Sequence, residues 1–501
     1  MTRTGRHKGG KTHKRAATIW LVALLLSLPL ATLTGCTTYS QKFANLRPEL
    51  AAGEFDAALQ TVEEESGSKD VLLYYLERGM ILHYAERYGE SNEAFAAAER
   101  TADELYTKSI SEGVFSLFSN DNAISYRARP FEMAMVPYYK GLNYIYLGQR
   151  DEAQVEARRA SLMMSKYIDA TLQGLRDEDK SELEQIRSNG FLLYYSGMLY
   201  DWDGELNDAF IAYRNAAVAY QKNESILEVD IPQTLGRDLT RVANRIGFTA
   251  ELEELRTSCP RVFLESDDDG EPLSRSDYAQ RSQWKSGRGE VVVLLETGFV
   301  PQKNQLRFDF PVFSGEAYDD PNYWSWQIVA GLGNTQAFVS GNKVEYWVSV
   351  AAPELDDSRT GAIASARVRS VSGEEHVTTV RVENLSRQAR ITFDAEKPSI
   401  FFKTVLRGLT KYLASRGAEE AGGDWAKLAV NLFGAVTESA DTRSWLTLPE
   451  HVLLARLSLP PGVHDLEVEL LDYEGRVLHT ETMHETEVKA GDWTFVSRRI
   501  F

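Results

Sequence analysis

The sequence predicts a multidomain α + β protein in which an irregular α-solenoid precedes a β-rich domain. Two observations lead to this prediction. Glycine and alanine recur at a fixed spacing among aromatic residues in the first half of the chain. Short β-branched or aromatic runs, punctuated by Gly, Pro and Asn, fill most of the second half. A third observation, an apolar run that ends in a cysteine, sets the first 35 residues apart from both halves.

The amino terminus has the parts of an export signal. Residues 1–15 carry six basic residues and no acidic one, and an apolar stretch from Ile19 to Leu33 follows. This stretch is too short for a comfortable membrane span, and small residues follow it. We therefore expect residues 1–35 to be a signal peptide.

The end of the apolar stretch, Leu33-Thr34-Gly35-Cys36, resembles the lipobox of bacterial lipoproteins. The resemblance implies that the Cys36 thiol receives a diacylglyceryl group, that the chain is cut before Cys36, and that the new amine is acylated. Two or more acyl chains anchor a protein stably, whereas one does so only marginally. By the sorting rule for Gram-negative lipoproteins, Thr37 implies the inner leaflet of the outer membrane, facing the periplasm. The alternative is a plain signal peptide with a chance cysteine.

The charge of the chain limits its partners. The 501 residues include 55 Lys and Arg against 73 Asp and Glu, a formal net charge of −18. The signal peptide takes six basic and no acidic residues with it, which leaves −24 on the mature chain. Nucleic acid requires a basic surface, so we expect no nucleic-acid partner. Anionic lipid headgroups would repel such a chain, so the acyl chains rather than charge would hold it to the bilayer.

The second cysteine, Cys259, has no disulfide partner within the chain if Cys36 is acylated. A lone cysteine is most often a small buried apolar residue, and we expect this for Cys259. A reactive thiol and a bridge between molecules are the alternatives.

Three segments of the first half share one spacing. In each, twelve residues separate a glycine from a small residue, and seven more lead to an alanine: Gly79, Ser91 and Ala98; Gly141, Ala153 and Ala160; Gly197, Ala209 and Ala216. The spacing resembles the tetratricopeptide repeat (TPR), a pair of antiparallel helices whose axes approach to about 8–10 Å where small residues cross. The copies lie farther apart than the usual repeat. We therefore predict an irregular TPR-like solenoid over residues 45–255, after a lipidated tether at residues 36–44; an unrelated helical bundle is the alternative.

Solenoids of this kind present a concave groove that receives peptides or helices. The groove-facing positions of the repeat, carried onto this sequence, give five aromatic residues: Tyr84, Tyr138, Tyr146, Tyr194 and Trp202, with His83 and Asp201 beside them. Two interpretations stay open. The stripe binds another envelope protein, or the second half of the chain or additional helices bury it.

The period changes in the second half of the chain. Residues 256–289 are polar and predict a linker, and residues 290–501 predict a β-rich domain, as a sheet or sandwich, with a pair of helices inserted at about 396–438. Pro398 fits the first turn of the first inserted helix. A hairpin is predicted at Tyr473-Glu474-Gly475.

The junction after the inserted helices contains Glu438, Asp441, Arg443 and Trp445. Together with "LLYYLERGMILHYAERYGES" and "SNDNAISYR", this junction resembles a little-characterised family of Gram-negative outer-membrane lipoproteins. In that family TPR-like helices precede a β-rich C-terminal region, and no activity is established. We expect the four residues to form a structural polar cluster with Trp445 packed beneath it. An acid–base cluster with His451 is the alternative.

The motifs of several enzyme classes are absent from the sequence, including the P-loop, H-E-x-x-H, G-x-S-x-G and paired C-x-x-C. We therefore expect no catalytic residues, no metal and no cofactor beyond the acyl chains on Cys36. The predicted function is a membrane-anchored periplasmic adaptor or scaffold that binds other envelope proteins through the TPR-like region. The alternative is a peptidoglycan- or glycan-binding cell-wall enzyme, or an activator of one.

Overall fold

The structure, a computed structural model, describes residues 37–112, 124–265, 271–313, 344–356, 361–373, 376–422 and 439–501. A helical part precedes a β-rich part, which confirms the predicted order. The helices of the first part are α1 Tyr39–Lys42, α2 Leu46–Ala51, α3 Phe55–Glu65, α4 Val71–Tyr84, α5 Tyr88–Glu112, α6 Pro130–Tyr146, α7 Arg150–Leu172, α8 Ser181–Gln185, α9 Gly190–Asp203, α10 Leu206–Leu227, α11 Gln233–Ile246, α12 Thr249–Ser258 and α13 Arg275–Arg281. Within the described ranges, no helix has both the length and the apolar character needed to cross a membrane.

Three helix pairs, α4 with α5, α6 with α7, and α9 with α10, pack side by side across short loops. Small residues stand where the helices of a pair meet. A Cβ atom on Gly79 of α4 would lie 2.7 Å from the ring of Phe95 in α5. The Ser91 hydroxyl donates a hydrogen bond to the carbonyl of the same Gly79 at 2.7 Å. A residue with a side chain at position 79 would push the two helices apart.

The β-rich part contains ten strands among the described residues and one long helix. The strands are β1 Gly289–Thr297, β2 Lys303–Phe313, β3 Val344–Leu355, β4 Ser365–Ser370, β5 His376–Thr378, β6 Val380–Asn384, β7 His451–Leu459, β8 Gly462–Leu471, β9 Val477–Val488 and β10 Trp493–Ile500, and the helix is α14 Leu385–Gly422. The central sheet has the order β10-β1-β7-β6, the outer sheet has the order β5-β4-β8-β9, and β2 and β3 form a two-stranded sheet among the described residues. Strands β1 and β10 are parallel.

Strand β1 is buried on both faces and lies between the helices and the outer sheet. Val292 and Leu294 belong to the core that the central sheet shares with the helices. Val291, Val293 and Leu295, on the opposite face, belong to a second core with the outer sheet. The run "VVVLL" is therefore continuous, because both faces of the strand are covered. The order of layers is helices, central sheet, outer sheet.

The inserted helix differs from the prediction. It begins at Leu385 rather than near residue 396, and Pro398 lies inside it rather than in its first turn. Residues 424–438, which hold most of the second predicted helix, lie outside the described residues.

Two features of the last strands also bear on the prediction. Strand β10 was not predicted. The predicted hairpin joins β8 to β9 and turns at Gly475, which has a left-handed φ of 76°.

The predicted polar linker, residues 256–289, contains packed elements. Helix α12 ends at Ser258, within this segment. Helix α13 also lies within it, and its residue Tyr278 is buried, with 3% exposure. Among the described residues of this segment, most polar side chains are exposed and the few apolar ones are largely buried. Composition alone therefore suggested a connector. Cys259 is buried with 2% exposure, which confirms the prediction of a small buried residue.

Candidate functional site

The aromatic residues predicted to line a groove lie at the boundary between the helices and the central sheet. Tyr138 and Tyr194 have no exposed surface, and Tyr84, Tyr146 and Trp202 are partly buried. All five also belong to, or pack against, the core shared with the central sheet. Whether these residues are available to a partner therefore depends on which part of the chain covers them.

Strand β1 supplies one cover through a buried carboxylate. The Tyr138 hydroxyl donates a hydrogen bond to Glu296 at 2.9 Å, and the Tyr84 hydroxyl donates to the other oxygen of the same carboxylate. Glu296 has no exposed surface. A buried carboxylate is costly unless it is hydrogen-bonded, and the two hydroxyls meet that requirement.

Strand β10 supplies the second cover. The Tyr146 hydroxyl donates a hydrogen bond to the Ser497 hydroxyl at 2.7 Å. The ring of Trp202 packs edge-on against Phe495, with the centroids 5.8 Å apart. Both contacts join the helical part to the strand at the edge of the central sheet.

The open groove is therefore contradicted at these residues, and the alternative interpretation describes them. Tyr194 is covered by another helix, because its hydroxyl donates to Asp238 of α11 at 3.0 Å. The other four residues are covered by β1 and β10, whose parallel pairing brings residues 493–500 beside the helices. Sequence spacing identified the stripe but contained no information on what would cover it.

The two polar residues beside the stripe are also buried and engaged. His83 shares a hydrogen bond of 2.6 Å with the Asn143 side chain, and burial lowers its pKa. Asp201 accepts a hydrogen bond from the Tyr213 hydroxyl at 3.0 Å and forms an ion pair with Arg241. These contacts tie helices together inside the helical part.

Residues 439–450, the junction segment, form neither helix nor strand and are almost entirely buried. Arg443 holds Asp441 with two parallel hydrogen bonds of 2.8 Å each, and its third nitrogen lies 3.3 Å from Asp70. Trp445 is fully buried. The fourth predicted member, Glu438, lies outside the described residues. This arrangement is that of a structural ion pair between the β-rich part and the start of α4.

His451 lies apart from these contacts, at the first position of β7. Among the described residues, it forms an ion-pair contact with Glu450, with the imidazole Nε2 4.0 Å from a carboxylate oxygen. Burial, with a smaller contribution from Arg381, lowers the pKa of His451 to about 3. The imidazole is therefore neutral at physiological pH, and its position at the strand does not complete an acid–base set with Asp441 and Arg443.

Two buried glutamates hold the backbone of the junction segment. The Trp445 amide donates to Glu132 of α6 at 2.8 Å. The Leu446 amide donates to Glu77 of α4 at 2.6 Å, and the Thr447 hydroxyl donates to the same carboxylate at 2.5 Å. Because the segment has no secondary structure to satisfy its amides, these carboxylates take that role.

Sequence reasoning missed Glu77, Glu132 and Glu296. One signal could have identified them, because each is an acidic residue inside an apolar run: "LLYYLERGM", "PFEMAMV" and "VVVLLET". An acid in such a position is buried when its run is buried, and it then requires a partner.

The residues after Cys36 pack against the junction segment. Thr38, Tyr39 and Ser40 are buried, and the Ser40 amide donates to the Thr442 hydroxyl at 3.2 Å. Helix α1 lies within the region predicted as a lipidated tether, residues 36–44, and residues 38–40 of that region are buried. The predicted tether is short and largely polar, so its composition did not indicate that Tyr39 would be buried. Cys36 itself, with Leu33, Thr34 and Gly35, lies outside the described residues.

Arg47 of α2 reinforces this attachment. Its Nε donates to the Leu446 carbonyl at 2.8 Å, and its Nη2 donates to the Val300 carbonyl at 2.7 Å. The amino-terminal helices, the junction segment and the loop after β1 thus meet at one place.

Comparison of the chain with models of known protein families gives no match. Comparison with curated protein sequences gives none either. Within the described part of the chain, no group of three His, Cys, Asp or Glu residues is placed to hold a metal ion.

Proposed function

We propose that this chain is an exported lipoprotein, acylated at Cys36, that acts as a non-catalytic scaffold at the periplasmic face of the outer membrane. Its only attached group would be the diacylglycerol and N-acyl chains on Cys36. The resemblance of Leu33-Thr34-Gly35-Cys36 to a lipobox supports the anchor. The packing of the residues that follow supports a body held directly at the bilayer.

The observation that carries the proposal is the burial of Thr38, two residues after Cys36. Two residues span at most about 7 Å, so an acylated Cys36 leaves no room for a flexible tether. A body attached in this way stays close to the membrane, and the short link restricts its orientations. We infer that the lipid positions the protein as well as retaining it.

We further propose that the helical part is an irregular TPR-like solenoid. Three helix pairs, each with a glycine that an aromatic ring approaches, support this assignment. Gly79 meets Phe95 and Gly197 meets Tyr213 within a pair, whereas Gly141 of α6 meets Tyr195 of α9 between two pairs. In an open array the aromatic face would be available to a partner, whereas here it packs against the chain's own central sheet.

Partner binding is therefore assigned to the outer helices. In α7, Val155 and Leu162 are 51% and 68% exposed, and in α10, Ile211 and Val218 are 38% and 50% exposed. Each pair is spaced seven residues apart, so both members lie on one face of their helix. Apolar residues exposed on one face of each helix favour a protein partner, which the proposed location places in the envelope.

A photo-crosslinking residue in intact cells tests this assignment. It is placed at Leu162, at Val218, or at Val463, which is 67% exposed on β8 and serves as the matched control. We expect adducts with a second envelope protein from the two helical positions and none from position 463. Equal adducts from all three positions, or none from any, would contradict the proposal.

A further inference from the structure

A cavity of about 400 Å³ lies where the helical part meets the junction segment, strands β2 and β3, and helix α14. Its walls also include residues 124–129 and the end of α7. Cavities of this volume hold small ligands in other proteins. Tyr106, Leu175 and Ile400 give the cavity an apolar wall, and Lys303 is the residue that brings an amine from β2 to it.

Lys303, the first residue of β2, is buried with 6% exposure. Its Nζ donates a hydrogen bond to the Arg443 carbonyl at 3.2 Å. Among the described residues, no carboxylate forms an ion pair with this nitrogen. A buried ammonium group is costly unless an acid pairs with it, so this position favours the neutral amine.

The two carboxylates of the cavity wall are both engaged by arginines. Glu396 pairs with Arg129 at 2.9 Å, and Asp441 accepts two hydrogen bonds of 2.8 Å from Arg443. The acids nearest to the cavity therefore have cationic partners other than Lys303. Besides Lys303, the charged residues of the wall are Arg127, Arg129, Glu396, Lys403, Asp441 and Arg443.

The charge state of Lys303 follows from these surroundings. Burial lowers the pKa of Lys303 from 10.5 to about 8, with a smaller contribution from Arg129, although Asp441, Glu396 and Glu132 oppose the change. At pH 7.5 roughly a quarter of such amines are neutral, against about one in a thousand for an exposed lysine. The neutral form has a lone pair, and desolvated lysines of this kind form Schiff bases with carbonyl compounds.

The end of the Lys303 side chain lies at the cavity rather than behind its wall. The residue that accepts its hydrogen bond, Arg443, lines the cavity, and so do Arg129, Glu396 and Asp441, whose charges act on its amine. The amine is thus surrounded by residues of the cavity wall.

We propose that Lys303 is a reactive amine that captures a small aldehyde or ketone in this cavity as an imine. The Nζ lone pair attacks the carbonyl carbon and forms a C–N bond, and the carbonyl oxygen leaves as water with the two hydrogens of the amine. Addition of water reverses the reaction and releases the ligand. The apolar wall receives the rest of the ligand. The proposal is independent of the lipid anchor and of the outer helical face.

Reductive labelling of the detergent-purified full chain tests the proposal. Limiting benzaldehyde is the probe, and cyanoborohydride adds hydride to the imine and converts it to a stable secondary amine. Peptide mass spectrometry measures the rate of labelling at each lysine, with Lys489, which is 68% exposed, as the reference. At pH 7.5 we expect Lys303 to be labelled at least about tenfold faster than Lys489. The ratio should fall towards pH 10, where the exposed amine also loses its proton, and in guanidinium chloride, which unfolds the chain.

Two variants separate the effect of the cavity from general reactivity. Arg129→Gln frees Glu396 to pair with the Lys303 ammonium, so we expect labelling of Lys303 at pH 7.5 to slow at least several-fold. Arg498→Gln, which breaks an exposed pair with Glu481, is the matched control and should change nothing at Lys303.

Three results overturn the proposal. One is a folded chain in which Lys303 is labelled no faster than Lys489 at pH 7.5. The second is a ratio that stays the same when the chain is unfolded. The third is labelling of Lys303 that Arg129→Gln leaves unchanged in a chain with the native circular dichroism spectrum.

Discussion

The hydroxyl of Tyr138 donates a hydrogen bond to the carboxylate of Glu296, 2.9 Å away and 158 residues later in the chain. Tyr138 belongs to the stripe that an open solenoid would offer to a partner, and Glu296 belongs to the central strand of the β-rich part. This contact and its neighbours make the helical and β-rich parts share one core. The central sheet therefore covers the aromatic stripe on the helical part.

Replacement of Tyr138 by Phe tests this closure. The variant removes the hydroxyl and leaves one oxygen of a fully buried carboxylate without its donor. We expect the free energy of unfolding to fall by about 1–3 kcal/mol. Chemical denaturation measures the change. Tyr473→Phe, at a side chain that is 68% exposed, is the control and is expected to have no effect; equal effects from the two would contradict the closure.

Replacement of Gly79 by Ala tests the close approach of α4 and α5. The new methyl group would lie 2.7 Å from the Phe95 ring, and we expect a loss of about 1–3 kcal/mol in the free energy of unfolding. Gly89→Ala is the matched control, because position 89 is in the first turn of α5 with no atom within 4 Å of the new Cβ. We expect that control to be neutral or slightly stabilising. A neutral result at position 79 would mean that the helices cross elsewhere.

Replacement of Glu77 by Gln tests the buried carboxylate under the junction segment. Burial raises the pKa of Glu77 from 4.5 to about 7, although hydrogen bonds from Thr447 and Leu446 oppose the rise. Between pH 4.5 and about pH 7, the Glu77 carboxyl is protonated in the folded chain and ionised in the unfolded chain. The stability from this group is fully present below pH 4.5 and is lost as the pH rises through 7.

The expected result is a pH-dependent difference between the wild type and Glu77→Gln. From pH 5 to 7 the free energy of unfolding of the wild type should fall relative to the variant, by as much as about 1.4 kcal/mol per pH unit. Other groups contribute equally to both proteins; His451, whose lowered pKa gives the opposite slope, cancels in this comparison. Parallel pH profiles would rule out a shifted pKa at Glu77.

Replacement of Arg443 by Gln tests the ion pair that joins the junction segment to the helices. The change leaves Asp441 without its two 2.8 Å hydrogen bonds in a nearly buried position. We expect a loss of about 3–5 kcal/mol in the free energy of unfolding. Arg498→Gln breaks an exposed pair with Glu481 and is expected to cost less than about 1 kcal/mol. Similar losses from both variants would show that Arg443 has no special structural role.

Much of the fold follows from local patterns in the sequence. The Gly and Ala spacing indicated the paired helices, and the short β-branched runs indicated the strands, because both patterns reflect packing between neighbouring elements. The start of α14 was missed, because Pro398 suggested a first turn and the residues before it have no helical stripe. Strand β10 was missed, because its parallel partner, β1, lies some 200 residues earlier.

The candidate site was less predictable, since its contacts are long-range. The stripe from Tyr84 to Trp202 was identified, yet its burial depends on β1, β10 and helix α11, which lie far from most of it in the sequence. The cavity beside Lys303 joins residues from 106 to 443, and no local spacing marks such a set. The attachment of Ser40 to Thr442 spans 402 residues and was hidden for the same reason.

The most direct test of the account is the location of the Cys36→Ser variant in a Gram-negative cell, measured by membrane fractionation and by palmitate labelling. The wild type should incorporate labelled palmitate and sediment with outer membranes. The variant should incorporate none, and its folded body should leave the membrane fraction. Two results would contradict a lipid anchor at Cys36. One is a wild type that incorporates no labelled palmitate, and the other is a labelled wild type together with a variant that still sediments with outer membranes.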